Sequence, residues 1–235
     1  MLPLAILAGG YATRLGLLTT ETPKCLIEIN GRPFVDWQLG LLMDHGYSDF
    51  IFCVSYKSAA VQEYLGDGSD RGACIQYSFD GDTQLGTGGA IQKALPKLGK
   101  KFGVVYGDSY LPTNYSSAEQ FFLNSRSHAL MTVYENKNQF DASNVEFVDG
   151  KLINYEKGSN SRQMRHIDYG ISFFREAAFR PWRNHSSFDL SEVCRQLATR
   201  GQLDGFEVFE RFYEIGSLKG IEDFSQYLKE ESIEL

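Results

Sequence analysis

The chain has 235 residues, a net charge of −7 with its four histidines taken as neutral, and 23 glycines against 6 prolines. That length suits one large α/β domain, with a core that needs no disulfide or metal staple. The acid excess argues against a nucleic-acid-binding surface, no apolar run approaches the ~20 residues of a membrane span, and residues 1–10 lack the basic start of a secretion signal. Cys25, Cys53, Cys74 and Cys194 are scattered, without CxxC spacing, and three of them fall inside apolar runs. They are expected to be reduced, mostly buried thiols of a cytoplasmic protein.

Taken in chain order, the apolar run 4–8 ends in Gly9-Gly10 and predicts a buried strand feeding a loop. Val35, Leu39, Leu42 and Met43 recur at helical spacing, with Gly46 as the C-terminal cap. Strands are expected at 50–54, at 73–79 and at 102–106, where Gly107-Asp108 halts the run. A short helix over 90–95 is expected to stop at Pro96, and a second contains Ala118, Phe121 and Phe122. After a strand at 130–134, Asp149-Gly150 joins 145–148 to 151–155 in a predicted tight hairpin, an insertion suited to form one wall of a cleft. The polar, basic stretch 154–165 reads as a mobile loop, and 166–174 as a further strand. A helical stripe of Leu190, Val193, Cys194, Leu197 and Ala198 opens at Ser187 or Asp189 and closes at Gly201. The β-α-β-α-β order implies a mostly parallel sheet with helices on both faces, in one domain spanning 1–235. Trp37 is expected in the core and Trp182 in a more open place, suited to a subunit contact; a homo-oligomer is left open.

The stretch with the most chemistry is Leu7, Ala8, Gly9, Gly10, Tyr11, Ala12, Thr13, Arg14 and Leu15, followed by Pro23 and Lys24. Two glycines at the end of a buried strand let backbone N–H groups approach phosphate oxygens. Arg14 offers a planar fork of donors and Lys24 a point charge. No GxxxxGK[ST] and no GxGxxG is present, so neither the P-loop nor the dinucleotide fingerprint applies.

This stretch resembles the signature LAGGxGTRLxPLTxxxPKxL of the sugar-1-phosphate nucleotidyltransferases, the NDP-sugar pyrophosphorylases. Ala12 stands where that family has glycine, and Leu17 where it has proline. Gln84 and the loop Leu85, Gly86, Thr87, Gly88, Gly89 and Ala90 are similar to the family's base- and ribose-reading segment. Gly107-Asp108 resembles its metal-binding step. Glu156-Lys157 resembles the pair that takes the sugar hydroxyls and sugar phosphate, and Gly170 the glycine that lets the sugar ring pack close. Glu214 falls where the family has its second metal-binding aspartate.

The resemblance implies a Rossmann-like, three-layer α/β nucleotidyltransferase fold with a mixed, mostly parallel sheet and a small hairpin insertion. It implies Mg²⁺ on Asp108 and Glu214, catalysis by Arg14, Lys24 and Asp108, and an NTP with a sugar 1-phosphate as the partners, with neither nucleic acid nor membrane. The short length and the Gly86–Ala90 wording are most similar to heptose-1-phosphate guanylyltransferases of surface-polysaccharide pathways, which implies GTP and D-glycero-D-manno-heptose 1-phosphate. Cytidylyl, uridylyl or thymidylyl transfer to another sugar or small phosphate is the alternative. Two further readings compete: a metal-dependent glycosyltransferase using the Asp80-Gly81-Asp82 triplet, and a non-catalytic nucleotide-binding module. His166 with Arg162 and Arg165 forms a basic stretch ahead of Asp168 that is either a phosphate contact or a solvated loop.

Overall fold

The computed structural model describes residues 1–9, 22–55, 58–81, 83–158 and 161–233. In chain order its strands and helices are β1 (Leu4–Leu7), β2 (Glu28–Ile29), β3 (Arg32–Pro33), α1 (Phe34–Asp44), β4 (Asp49–Val54), α2 (Ser58–Leu65), β5 (Cys74–Phe79), α3 (Gly86–Leu98), β6 (Lys101–Tyr106) and β7 (Ser109–Tyr110). There follow α4 (Tyr115–Asn124), β8 (Ala129–Glu135), β9 (Val145–Val148), β10 (Lys151–Tyr155), β11 (His166–Arg175), α5 (Leu190–Thr199), β12 (Leu203–Val208), β13 (Tyr213–Glu214) and α6 (Leu218–Glu230).

The central sheet is mixed, as the α/β reading expects. β5, β4, β1 and β6 run parallel, with β1 between β4 and β6. β11 lies antiparallel to β6 and to β8, and β12 closes the far side parallel to β8. Strand β1 is apolar throughout because both of its faces are covered. Leu4 and Ile6 point into a core with α1, α2 and α4, while Ala5 points into a second core with α3 and α5. The three layers follow from that alternation. A third cluster packs Phe224 and Leu228 of α6 against Phe34, Trp37, Tyr110 and Ile215.

Several local expectations hold. Asp149 and Gly150 have φ of 50° and 75°, the left-handed pair that a two-residue hairpin demands. Asp189 caps α5, and with Glu192 it forms a capping box. All four thiols are free, with only Cys74 exposed. Apart from these expectations, no described helix is long and apolar enough to cross a membrane.

The differences have physical reasons. The helix expected over 90–95 starts earlier, at Gly86, and runs through Pro96 to Leu98. Pro96 sits in the last turn, where it forgoes a single bond, and Gly99 N closes the helix on Leu95 O at 3.0 Å. The β9–β10 hairpin adds to the central sheet through Val145 and His166, and none of its residues lines the cleft at the ends of the parallel strands. Asn154 and Tyr155, where the expected strand 151–155 and the expected loop 154–165 overlap, belong to the strand: they end β10, and Tyr155 is buried. Trp182 is not open: its indole stacks on Phe188 at 4.6 Å between centroids and is 9% exposed.

Candidate active site

A cleft of about 480 Å³ opens at the C-terminal ends of β1, β4 and β6, the place where open α/β sheets receive ligands. Leu7, Ala8 and Gly9 form its floor, Gln84, Gly86 and Thr87 one wall, and Lys24 and Asp108 the other. Asp80, Ser187 and Asp189 also face it. Gly10, Thr13 and Arg14 lie outside the described residues, as does Asp82 of the Asp80-Gly81-Asp82 triplet.

The floor is built by close backbone contacts. Gly107 N donates to Leu7 O at 3.0 Å, and Ala8 N to Cys53 O at 2.9 Å. A Cβ on Gly107 would stand 2.8 Å from Leu7 O, so only glycine fits this turn. The next residue is Asp108, whose Oδ2 takes a 2.5 Å ion pair from Lys24 Nζ.

The two-residue pairing of β7 with β13 sets Glu214 opposite Ser109, and Ile215 N donates to Asp108 O at 3.0 Å. Two carboxylates far apart in sequence thus become neighbours. Gly216 lies beside them, with Lys24 Nζ 3.2 Å from where its Cβ would be. From the ordinary 4.5, the Glu214 carboxyl is pushed up to about 7. Glu214 keeps exposed surface, but the protein mass around its carboxyl is the largest cause; Asp108 and Asp141 add to it and Lys24 opposes.

Between pH 4.5 and about 7 the folded chain therefore holds more protons than the unfolded one, so stability falls as pH rises through that window. Glu214→Gln is expected to leave the Tm of the metal-free protein nearly unchanged at pH 4 and to raise it at pH 8. Thermal melts at both values check this, and equal shifts would contradict it.

No group of three His, Cys, Asp or Glu side chains converges among the described residues. Asp108 and Glu214 supply two adjacent oxygen donors of like charge. That set fits Mg²⁺, which takes one or two carboxylates together with waters and substrate phosphates.

The opposite wall holds a different use of glycine than the sequence suggests. Gly88 N and Gly89 N, the free amides at the start of α3, both donate to Phe188 O at 3.0 and 3.2 Å. Gly86, with φ of 71°, would place a Cβ 2.4 Å from that same oxygen. Gly88 is buried under the Phe188 ring and does not reach the cleft surface, while Gly86 and Thr87 do. Gly88→Ala would put its Cβ 2.4 Å from a ring held by Trp182. It is expected to cost about 1–3 kcal/mol by overpacking; denaturant melts check it, and unchanged stability would contradict it.

Beyond this wall, Lys157 Nζ stands 3.6 Å from Asp189 Oδ2. Burial pushes the Asp189 carboxyl up, but the Ser191 amide and hydroxyl, Lys157 and Thr87 outweigh it and hold it below the ordinary value. Glu156 is exposed and outside the cleft wall. Gly170, with φ of 114°, packs against Leu111, and its amide donates to Asp168 Oδ1 at 3.1 Å. Burial pushes the Asp168 carboxyl up to about 6, with the Gly170 amide and Lys157 opposing. Two residues of the basic stretch before it are paired elsewhere: Arg165 with Glu135 at 3.0 Å and His166 with Glu207 at 3.2 Å.

Gln38 and Asp189 escape the sequence reading as site residues. Gln38 is a polar side chain on the otherwise apolar stripe of α1, which is a usable signal. Asp189 is visible in sequence only as a helix cap.

The nucleotidyl transferase family model matches residues 4–231. Among curated proteins, the N-acetylmuramate alpha-1-phosphate uridylyltransferase of Neisseria meningitidis serogroup B is 36% identical over 49% of this chain and 50% of its own length. The D-glycero-alpha-D-manno-heptose 1-phosphate guanylyltransferase of Campylobacter jejuni is 28% identical over 81% of this chain and 84% of its own. The chain thus matches half the length of the first and most of the second. A crystal structure from Bacillus anthracis, assigned to glucose-1-phosphate thymidylyl transfer, shares the fold with a TM-score of 0.90 at 17% identity, over 100% of this chain and 97% of that one. On the strength of a family match spanning nearly its whole length, this chain belongs to the nucleotidyl transferase family.

Proposed function

We propose that the chain, as one domain over 1–235 in the cytoplasm, transfers a nucleoside monophosphate from an NTP to a sugar 1-phosphate. The observation that carries this is the convergence of Lys24, Asp108 and Glu214 beside a glycine-floored cleft. The attacking phosphate oxygen already bears negative charge, so no general base is required. Two polyanions must be brought together, so the chain's task is positioning and charge neutralisation.

Leu7, Ala8 and Gly9, with Gly10, Thr13 and Arg14 next along the chain, take the nucleotide and its phosphates. Gln84, Gly86 and Thr87 line the base and ribose, and Gly88 shapes that wall through Phe188. Lys24 neutralises the phosphate under attack, moving off Asp108 as substrate enters. Asp108 and Glu214 would hold Mg²⁺, which when bound would supply the remaining positive charge on the triphosphate. Lys157 holds the sugar phosphate, Glu156 accepts from sugar hydroxyls, and Gly170 leaves room for the ring.

The specific pair we assign is GTP with D-glycero-D-manno-heptose 1-phosphate, giving an NDP-sugar for surface polysaccharide. Similarity over most of both chains to the Campylobacter jejuni enzyme supports it. Uridylyl transfer to N-acetylmuramate 1-phosphate is the second reading, favoured by the higher identity over half the chain. Ranking kcat/KM for four NTPs against a panel of sugar 1-phosphates decides between them. GTP with the heptose phosphate should lead, and a lead for UTP with N-acetylmuramate 1-phosphate would overturn the assignment.

A further inference from the structure

Gln38 is 2% exposed on the inner face of α1. Its Nε2 donates to Tyr106 O at 2.8 Å and to Ser109 O at 2.7 Å. Both amide protons are thus engaged by carbonyls that straddle Gly107 and Asp108. Its Oε1 is buried and meets no donor among the described residues. Such an orphaned acceptor costs stability, and apolar packing alone gives no reason to keep it at this position.

The same turn is pinned from two other sides. Gly107 N donates to Leu7 O in β1, and Ile215 N, next to Glu214, donates to Asp108 O. Hydrogen bonds from α1, to β1 and from Ile215 just after β13 therefore fix the backbone that carries Asp108. Gln38 supplies the only one of these grips that comes from a side chain, and it holds both ends of the turn at once.

We propose that Gln38 is a positioning residue, which sets the Asp108 carboxylate against Glu214 and Lys24. The inference rests on the reading of Asp108 and Glu214 as the metal-holding pair. Side chains that orient metal-binding groups typically account for 10–100-fold in metal affinity or activity.

The test uses Mn²⁺ alone, titrated into the full chain and followed by the electron paramagnetic resonance of free Mn²⁺. The unsubstituted protein, Gln38→Ala, Gln38→Glu and Asp108→Asn are compared, with kcat, KM for the sugar phosphate and Tm measured on each. Gln38→Ala is expected to weaken Mn²⁺ binding about 10-fold or more and to lower kcat alike, leaving KM for the sugar phosphate unchanged. Gln38→Glu, as a buried acid with a single proton, restores one of the two bonds and should fall between. Should the alanine variant not fold, the isosteric glutamate variant decides alone. Wild-type Mn²⁺ affinity and kcat with only Tm lowered would overturn the proposal, because that marks a structural residue. Equal Mn²⁺ affinity in the unsubstituted protein and Asp108→Asn would instead sink the metal reading and this inference with it.

Discussion

Asp108→Asn is expected to reduce turnover at least ~100-fold, the scale of a lost electrostatic contact to the reacting phosphates. Asparagine keeps the shape and can still lie beneath Ile215, whose amide bonds the backbone carbonyl and not the side chain. What disappears is the charge that faces Lys24 and raises Glu214. A purely structural ion pair would behave differently. Asp108 and Lys24 are only partly buried, so their pairing by itself contributes modestly to stability. A folded Asp108→Asn protein with near-normal kcat would show that the pair is structural and would remove Asp108 from the mechanism.

Lys24→Ala is expected to cause a loss of the same order, ~100-fold or more, by a separable route. The ammonium lies against Asp108 and opposes the rise of the Glu214 pKa. Its removal leaves the two carboxylates facing each other without a cation, which favours Mn²⁺ uptake. Turnover should therefore collapse while Mn²⁺ affinity holds or tightens, whereas Asp108→Asn should lose both. Kinetics of pyrophosphate release alongside Mn²⁺ titration separate the two. Parallel loss of metal binding in Lys24→Ala would mean that Lys24 acts by holding Asp108 in place and not on phosphate.

The parallel half of the sheet is legible in the sequence because its strands are buried on both faces and read as continuous apolar runs. The strand over 4–7 and the helix beginning at 190 announce themselves through composition, spacing and the Asp189 cap. Other elements carry weaker or unclaimed signals. Asn30-Gly31, with φ of 51° and 81°, makes the turn between β2 and β3, and this dipeptide is a strong hairpin signal. Leu218, Ile221, Phe224 and Leu228 show the helical spacing of α6. β12 hides because Asp204 and Gly205 interrupt its apolar pattern, Asp204 accepting from the hydroxyls of Ser125 and Ser127.

The site divides in the same way. Lys24, Asp108 and the floor around Gly9 follow from local motifs. That Glu214 joins Asp108 depends on a two-residue strand pairing far apart in sequence, which no local pattern reveals. The tertiary role of the glycines over 86–89 is also invisible locally, since their partner is the carbonyl of Phe188, a hundred positions on. Gln38 belongs to this class: its two acceptors lie on β6 and β7, so only the fold shows why a polar side chain interrupts the apolar face of α1.

Nucleotidyl transfer by this chain is read out by pyrophosphate release from the purified protein given Mg²⁺, GTP and D-glycero-D-manno-heptose 1-phosphate, with the GDP-sugar followed by mass spectrometry. One pyrophosphate is expected for each GDP-sugar formed, and none when the sugar phosphate is left out. Absence of pyrophosphate with every one of the four NTPs across a panel of sugar 1-phosphates would rule out nucleotidyl transfer by this site.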